Sequence, residues 1–272
     1  MIFEQTCDLL INKYRTRTED LYIADLVIGL NLTAVRLSDN SVGVASNISE
    51  NHNFCTKGSR DFGDLAPLKI KGRNVTEILK TGKESGIISS LKTAVINAVS
   101  SGLIPTGKYR IIDNCDPIDL IDLSSGKTIS VVGAFQSYIQ KIASTANRLF
   151  ILELNEKALS DEQRKYFIQA DKYPEAFSVS DIVIITGQTL VNHTIDDLLS
   201  ATSPRTLVIV TGPSAGILPE IMFENGVDII GSTRITKPEL LFDVVSQGGA
   251  GYHLFEYCAK KICILNESET QA

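Results

Sequence analysis

The run Asp181-IVIITGQTLVNHT-Ile195, followed by Thr206-LVIVTGPSAGILPE-Ile221, constrains the fold more than any other part of the chain. Each half is a β-branched apolar run of strand length that breaks at a glycine and continues into a helix-like segment. Neither run alternates with polar residues, so neither has a face meant for water. Strands buried on both faces belong to parallel sheets, whose crossover helices cover each side. Ligands of such sheets sit outside the carboxyl ends of the strands. The polar residues gathered at these two ends are Thr186, Gln188, Thr189, Asn192, Thr194, Thr211 and Ser214.

The same alternation extends over the second half of the chain. Strands are predicted over 128–133, 149–154, 181–186, 206–211, 227–230 and 261–265, with helices over 135–144, 194–200, 219–225 and 238–246. Asp116-Pro117-x-Asp119 reads as a helix start, with Asp at the N-cap and Pro at N1. Earlier, Phe3, Cys7, Leu10 and Tyr14 recur at helical spacing. Short β-rich runs then follow over 23–30, 33–37 and 42–45, with Asp39-Asn40-Ser41 as a hairpin corner. Helices over 75–79 and 87–101 complete this part, the second stopping before Gly102 and Pro105. At 272 residues the chain has room for two ordinary domains. The expectation is an α/β protein: a smaller α+β domain over 1–110 and a mostly parallel sheet domain over 111–272.

A net charge of −6 without any Lys/Arg run argues against nucleic acid as a partner. Residues 1–16 lack the basic start and apolar core of a signal peptide, and no apolar run reads as a membrane span, so a cytoplasmic protein is expected. Cys7, Cys55, Cys115, Cys258 and Cys263 are odd in number and scattered, as befits reduced thiols packed as small hydrophobes.

Several positions carry a sharper and a plainer reading. Gly133 follows the first strand of the sheet domain, but Phe135 and Ser137 stand where a dinucleotide fingerprint wants glycines. Glu153 ends the second strand, either as a ligand for a ribose or metal or as a solvated strand end. Gly187 ends the third, Thr194 reads as an N-cap with Asp197 at N3, and Gln188, Thr189 and Asn192 are left without an evident structural duty, which suits a polar ligand. Gly212-Pro213-Ser214-Ala215-Gly216 matches the nucleophile-elbow pattern, with His253 the one downstream histidine; the plainer reading is a tight turn with Ser214 as a donor. Gln247-GGAG-Tyr252 stops a helix or cradles a phosphate. The metal-like pairs His52-x-x-Cys55 and Cys258-x-x-x-x-Cys263 form no zinc quartet.

Together, Ile184-ITGQTLVNHTIDDLL and Val208-IVTGPSAGILPEIMFENGVDIIGS-Thr233, with Ile28-GLNLTAVRL and Leu91-KTAVINA-Val99 upstream, resemble the putative heavy-metal chelation family. That resemblance implies a Rossmann-like domain preceded by an enolase-N-terminal-like domain, and a ligand in the cleft between them. The matching positions are Gly133, Glu153, Gly187, Thr189, Asn192, Gly212, Pro213 and Ser214, with Asn31 and Asn97 contributed by the first domain; Phe135 and Gln188 lie in the same loops. The function implied is binding of a transition metal or metal-chelate, with or without a chelatase-like reaction. The alternative is an enzyme or binding protein for a nucleotide-like or other small polar metabolite, with no metal required. Homo-oligomerisation, most commonly as a C₂ dimer, is the base-rate expectation.

Overall fold

The computed structural model describes residues 1–48, 63–106, 109–124 and 126–266. Its helices are α1 (Ile2–Asn12), α2 (Arg15–Asp20), α3 (Val75–Lys80), α4 (Gly86–Leu103), α5 (Gln136–Ala143), α6 (Tyr173–Phe177), α7 (Gln188–Val191), α8 (Ile195–Ser200), α9 (Pro219–Glu224), α10 (Pro238–Ser246) and α11 (Gly251–Tyr257). Strands β1 (Ile23–Ile28), β2 (Leu32–Leu37) and β3 (Val42–Ser46) form a small antiparallel sheet. The hairpin corner is set by Asp39, whose Oδ1 accepts from the Ser41 N–H and hydroxyl, while Asn40 takes the left-handed conformation at φ +67°.

Both faces of this small sheet are covered. Val35, Leu37 and Ala45 share a core with Leu91, Ala94, Val95 and Ala98 of α4. The approach is close enough that a Cβ on Gly43 would stand 2.2 Å from the Ala94 carbonyl oxygen and 2.3 Å from the Ala98 nitrogen. On the other face Leu32, Ala34, Val42 and Val44 pack against Leu241, Phe242 and Val245 of α10 and Leu254 of α11.

The second sheet contains β4 (Arg110–Asp113), β5 (Thr128–Val132), β6 (Arg148–Glu153), β7 (Phe167–Gln169), β8 (Ile182–Thr186), β9 (Leu207–Thr211), β10 (Ile229–Ile235) and β11 (Ala259–Leu265). Their order is β4-β11-β10-β9-β8-β5-β6-β7. Every pairing from β10 to β7 is parallel, and β11 runs antiparallel to both β10 and β4. The six parallel strands thus follow the doubly wound order, reversing direction between β5 and β8. The fold is α/β with a Rossmann-like, mostly parallel sheet and a smaller α+β part before it, as expected. One face of the sheet packs on α5, and the other on α1, α4, α8 and α9. The amide of Ile2, at the start of α1, donates to Asp196 Oδ1 at 2.8 Å, fastening the first helix to the Rossmann-like half.

Several local expectations change. The helix expected through Tyr14 breaks after Asn12, and α2 begins at Arg15. Strand β10 starts at Ile229 and runs to Ile235, longer than predicted, because β11 pairs along its whole length. Strands β4 and β7 were not anticipated. Asp116 makes no side-chain cap on the 3₁₀ turn Pro117–Leu120; its carboxylate is engaged elsewhere. Gly86–Thr106 has the length and composition of a membrane span, contrary to the sequence reading, but 67% of its apolar 18-residue stretch is buried inside the protein.

Candidate functional site

The strand order reverses between β5 and β8, the place where sheets of this kind bind ligands, and glycines follow these strand ends. Gly133, the first residue past β5, has φ +103°, and a Cβ there would lie 3.3 Å from Thr186 Cβ and Cγ2 at the end of β8. Next, the Gly187 N–H donates to the Thr211 carbonyl at 2.7 Å, and a Cβ on Gly187 would meet the Ala215 nitrogen at 2.8 Å. Gly212 follows at φ +129°, beyond the ordinary range of an L-residue. Finally, a Cβ on Gly251, at the start of α11, would lie 3.3 Å from Pro213 Cγ. Gly133, Thr186, Gly187, Gly212, Pro213 and Gly251 thus lie close together at the strand ends, and at Gly133 and Gly187 the missing Cβ makes room for Thr186 and Ala215.

The small sheet roofs these strand ends, and polar residues predicted to face a ligand turn out to stitch the roof down. Ser214 is fully buried, and its Oγ accepts the Ser46 N–H at 2.8 Å. Gln188 Nε2 donates to the Asn47 carbonyl at 3.3 Å, and Asn31 Nδ2 to the Gly248 carbonyl at 2.8 Å. Asn97 Nδ2 bridges the Val44 carbonyl at 2.8 Å and the Pro213 carbonyl at 3.1 Å. Thr189, also buried, bonds back to the Thr186 carbonyl at 2.7 Å. Gln188 and Thr189 therefore do have structural duties.

Asn192 is a further correction. Its Oδ1 accepts from the Thr194 amide at 3.2 Å and the Thr194 hydroxyl at 2.7 Å, so Thr194 is held by an Asx turn and does not cap α8 through its side chain. Asn192 lines a separate cavity of about 850 Å³ between α1 and the start of α4. Asn97 and Pro213 line another, of about 330 Å³, beneath β3 and beside β10. The nucleophile-elbow reading of Ser214 also fails. Its oxygen serves a backbone amide, and His253 Nδ1 accepts the Ala250 N–H at 2.9 Å at the start of α11. Glu153 folds back on its own turn, Oε1 accepting from the Leu154 and Asn155 amides at 2.8 and 3.1 Å.

A polar cluster beside these strand ends escaped the sequence reading. The Asp116 carboxylate receives the Tyr138 hydroxyl on one oxygen and the Lys261 ammonium on the other. Tyr138 stacks on Phe135 with ring centroids 5.4 Å apart, and its oxygen is also bonded by Thr211 and the Ile118 backbone. Burial, followed by the bond to Asp116, raises the Tyr138 hydroxyl well above its ordinary pKa, so it stays protonated and donating. Lys261 on a strand of the buried sheet was the available signal, because a cation there needs an anion partner.

As a metal donor set, the strand ends offer hydroxyls, amides, carbonyls and backbone N–H groups. Among the described residues no group of three or more His, Cys, Asp or Glu is placed to hold a metal. Cys7, Cys115, Cys258 and Cys263 are free and buried, and burial pushes the Cys7 thiol up to about 12. Thiols held protonated are poor ligands for a soft ion. Cys263 instead donates to the Cys115 carbonyl at 3.3 Å. These residues do not fit a bare soft metal ion. The His52 and Cys55 pair lies outside the described residues.

Comparison with known proteins agrees with the fold. A family model described as "Putative heavy-metal chelation" matches residues 116–264, and a second model of the same description matches residues 11–100. An uncharacterized protein of Methanocaldococcus jannaschii is 26% identical over 245 residues, covering 86% of this chain and 87% of that protein. The crystal structure of a protein of unknown function from Pyrococcus horikoshii superposes with a TM-score of 0.78 at 22% identity, over 98% of this chain and all of the other. A second, from Desulfitobacterium hafniense DCB-2, gives a TM-score of 0.71 at 19% identity, over 94% of this chain and 99% of that one.

Proposed function

The chain belongs to the putative heavy-metal chelation family, and from that premise we propose that it binds a metal already wrapped by a small organic chelator, at the carboxyl ends of β5 and β8. The observation that carries this reading is the set of glycines, Gly133 and Gly212 among them, that follow the strand ends at the strand-order reversal. A flat or angular chelate can lie against the half-buried Gly133 and Gly212 backbone there, both at positive φ. Phe135 and the Thr186 hydroxyl supply contacts for its apolar and oxygen-bearing edges. The preference for a chelate over a bare ion follows from the donor set, in which no three His, Cys, Asp or Glu side chains converge among the described residues. The protein works in the cytoplasm on this reading, with a small-molecule partner and no nucleic acid or membrane.

A second reading rests on the same glycines: a nucleotide-like metabolite whose phosphate approaches the glycine backbone with no metal involved. One experiment separates the two. Untagged protein is dialysed against nickel, cobalt, copper and zinc as free ions and as their citrate complexes, and retained metal is measured by mass spectrometry. Stoichiometric retention of a citrate-complexed metal, lost in Gly133→Val, supports the proposal. Equal retention of free ions by both proteins overturns it in favour of a bare-ion site. Retention of neither form, together with a metal-free metabolite released on denaturation, establishes the second reading.

A further inference from the structure

The cavity of about 850 Å³ between α1 and the start of α4 has none of Gly133, Thr186, Gly187, Gly212, Pro213 or Gly251 in its walls. Its volume falls within the range of small-molecule sites. The walls carry opposite charges. Glu4 and Asp8, one turn apart on α1, supply the acidic wall. Lys80 at the end of α3, Lys83 in the connection to α4 and Lys92 on α4 supply the basic one, where they outnumber Glu84. These side chains are within reach of solvent: Glu4, Asp8, Lys80 and Lys83 are exposed and Lys92 is half-buried. Among the described residues no ion pair joins Glu4 or Asp8 to Lys80, Lys83 or Lys92, so the two signs stay apart with the cavity between them. Burial raises the Cys7 thiol; beyond burial, Lys92 lowers it and Glu4 and Asp8 raise it, so both signs act on one lining residue.

The walls are held by bonds of their own. Lys92 Nζ donates to the Thr81 carbonyl at 2.7 Å, tying α4 to the end of α3. Ser85 caps α4, its hydroxyl accepting the Ile88 N–H at 3.2 Å, so the positive end of an 18-residue helix adds to the basic wall. A third side is the turn after α7, where His193 takes a left-handed conformation at φ +59°. Its ring stands edge-on to Phe3 at 5.0 Å, and its Nε2 is 3.1 Å from the Ser89 hydroxyl. Phe3, Ile11, Leu79 and Val191 give the lining an apolar part. A roughly spherical space of this volume is about 12 Å across, and an extended tripeptide of about 10 Å fits along it.

We propose that this cavity is a second ligand site, taking a short apolar peptide with both termini free, whose carboxylate meets the lysines around the start of α4 and whose ammonium meets Glu4 and Asp8. A ligand with one charge satisfies one wall and is repelled by the other, and a neutral one gains from neither. A zwitterion with an apolar body matches all three parts of the lining. The site stands independently of the glycines at the strand ends, since the two share no residue.

Isothermal titration calorimetry on the full chain tests this with trileucine, N-acetyl-trileucine and trileucine amide. Trileucine should bind, and each blocked peptide about fivefold more weakly, as befits the loss of one exposed ion pair. The double variant Glu4→Gln/Asp8→Asn should bring trileucine down to the level of its N-acetyl form and leave that form unchanged. Lys80→Gln/Lys83→Gln should likewise move trileucine toward the level of its amide. Circular dichroism identifies a variant that has not folded, and the three peptides on the unaltered protein then decide. Absence of binding by trileucine at millimolar concentration, equal binding of all three peptides, or wild-type affinity in both folded variants overturns the proposal.

Discussion

Replacing Ser214 by alanine tests the reading of this residue as an anchor against its reading as a nucleophile. The side chain is fully buried and its oxygen is the acceptor for the Ser46 amide at 2.8 Å. Alanine removes that acceptor without opening a cavity of consequence, and leaves one N–H of a half-buried strand end unpaired. The net value of one hydrogen bond is about 1 kcal/mol, and an orphaned donor adds to it, so S214A should lose about 1–2 kcal/mol. For a chain of this size that corresponds to roughly 2–6 °C in Tm. Urea titration and thermal melting measure the loss, and a fluorophosphonate serine probe should leave the native protein unlabelled. A loss within about 0.5 kcal/mol, the range of an inconsequential surface change, would refute the anchor. Stoichiometric labelling that disappears in S214A would restore the nucleophile.

Gly43→Ala should destabilise by about 3 kcal/mol, because its Cβ would fall on backbone atoms of α4 and force one element to move; a urea midpoint close to wild type would contradict the close packing of β3 on α4. Gly133→Ala combines an unfavourable φ of +103° with crowding against Thr186, and should cost about 1–3 kcal/mol. Gly226→Ala, at φ +84° with open space around it, carries only the backbone part, so equal losses in the two variants would count against crowding at Gly133. Stability should also fall in alkali. Burial raises the thiols of Cys7, Cys258 and Cys263 and the hydroxyls of Tyr109 and Tyr138. Below the ordinary thiol pKa of 9.0, folded and unfolded thiols are both protonated and the full stability is present. Above it only the unfolded chain ionises, so each group removes up to about 1.4 kcal/mol per pH unit until its folded pKa is reached. Urea midpoints between pH 8 and 11 should decline, less steeply in Cys7→Ala; a flat profile would show that these groups are not shielded.

Most of the Rossmann-like half could be read from the sequence because its strands are buried on both faces and therefore written as continuous β-branched runs, Ile182–Thr186 being the clearest. Strands β4 and β7 were missed because they are short pieces at the sheet edges, where pairing with one neighbour and not composition makes the strand. The glycines at the strand ends were legible, since Gly133, Gly187 and Gly212 each end a run. The polar residues beside them were not. Ser214 finds its partner at Ser46 and Asn97 finds its own at Pro213, so their duties exist only once the two sheets meet. Asp116 looked like a helix cap for the same reason: its partners, Tyr138 and Lys261, come from a helix and a strand brought together by the sheet order.

The cover that α10 and α11 place over the small sheet has a consequence for biosynthesis. Leu32, Ala34, Val42 and Val44 leave the ribosome early, but the residues that bury them, Leu241, Phe242, Val245 and Leu254, come near the end of the chain. At translation rates of about 5–20 residues per second, that apolar face stays wet for roughly 10–40 s. The nascent first half therefore passes through an interval in which it is half-covered and prone to association, and the chain reaches its native state only when its last quarter has emerged.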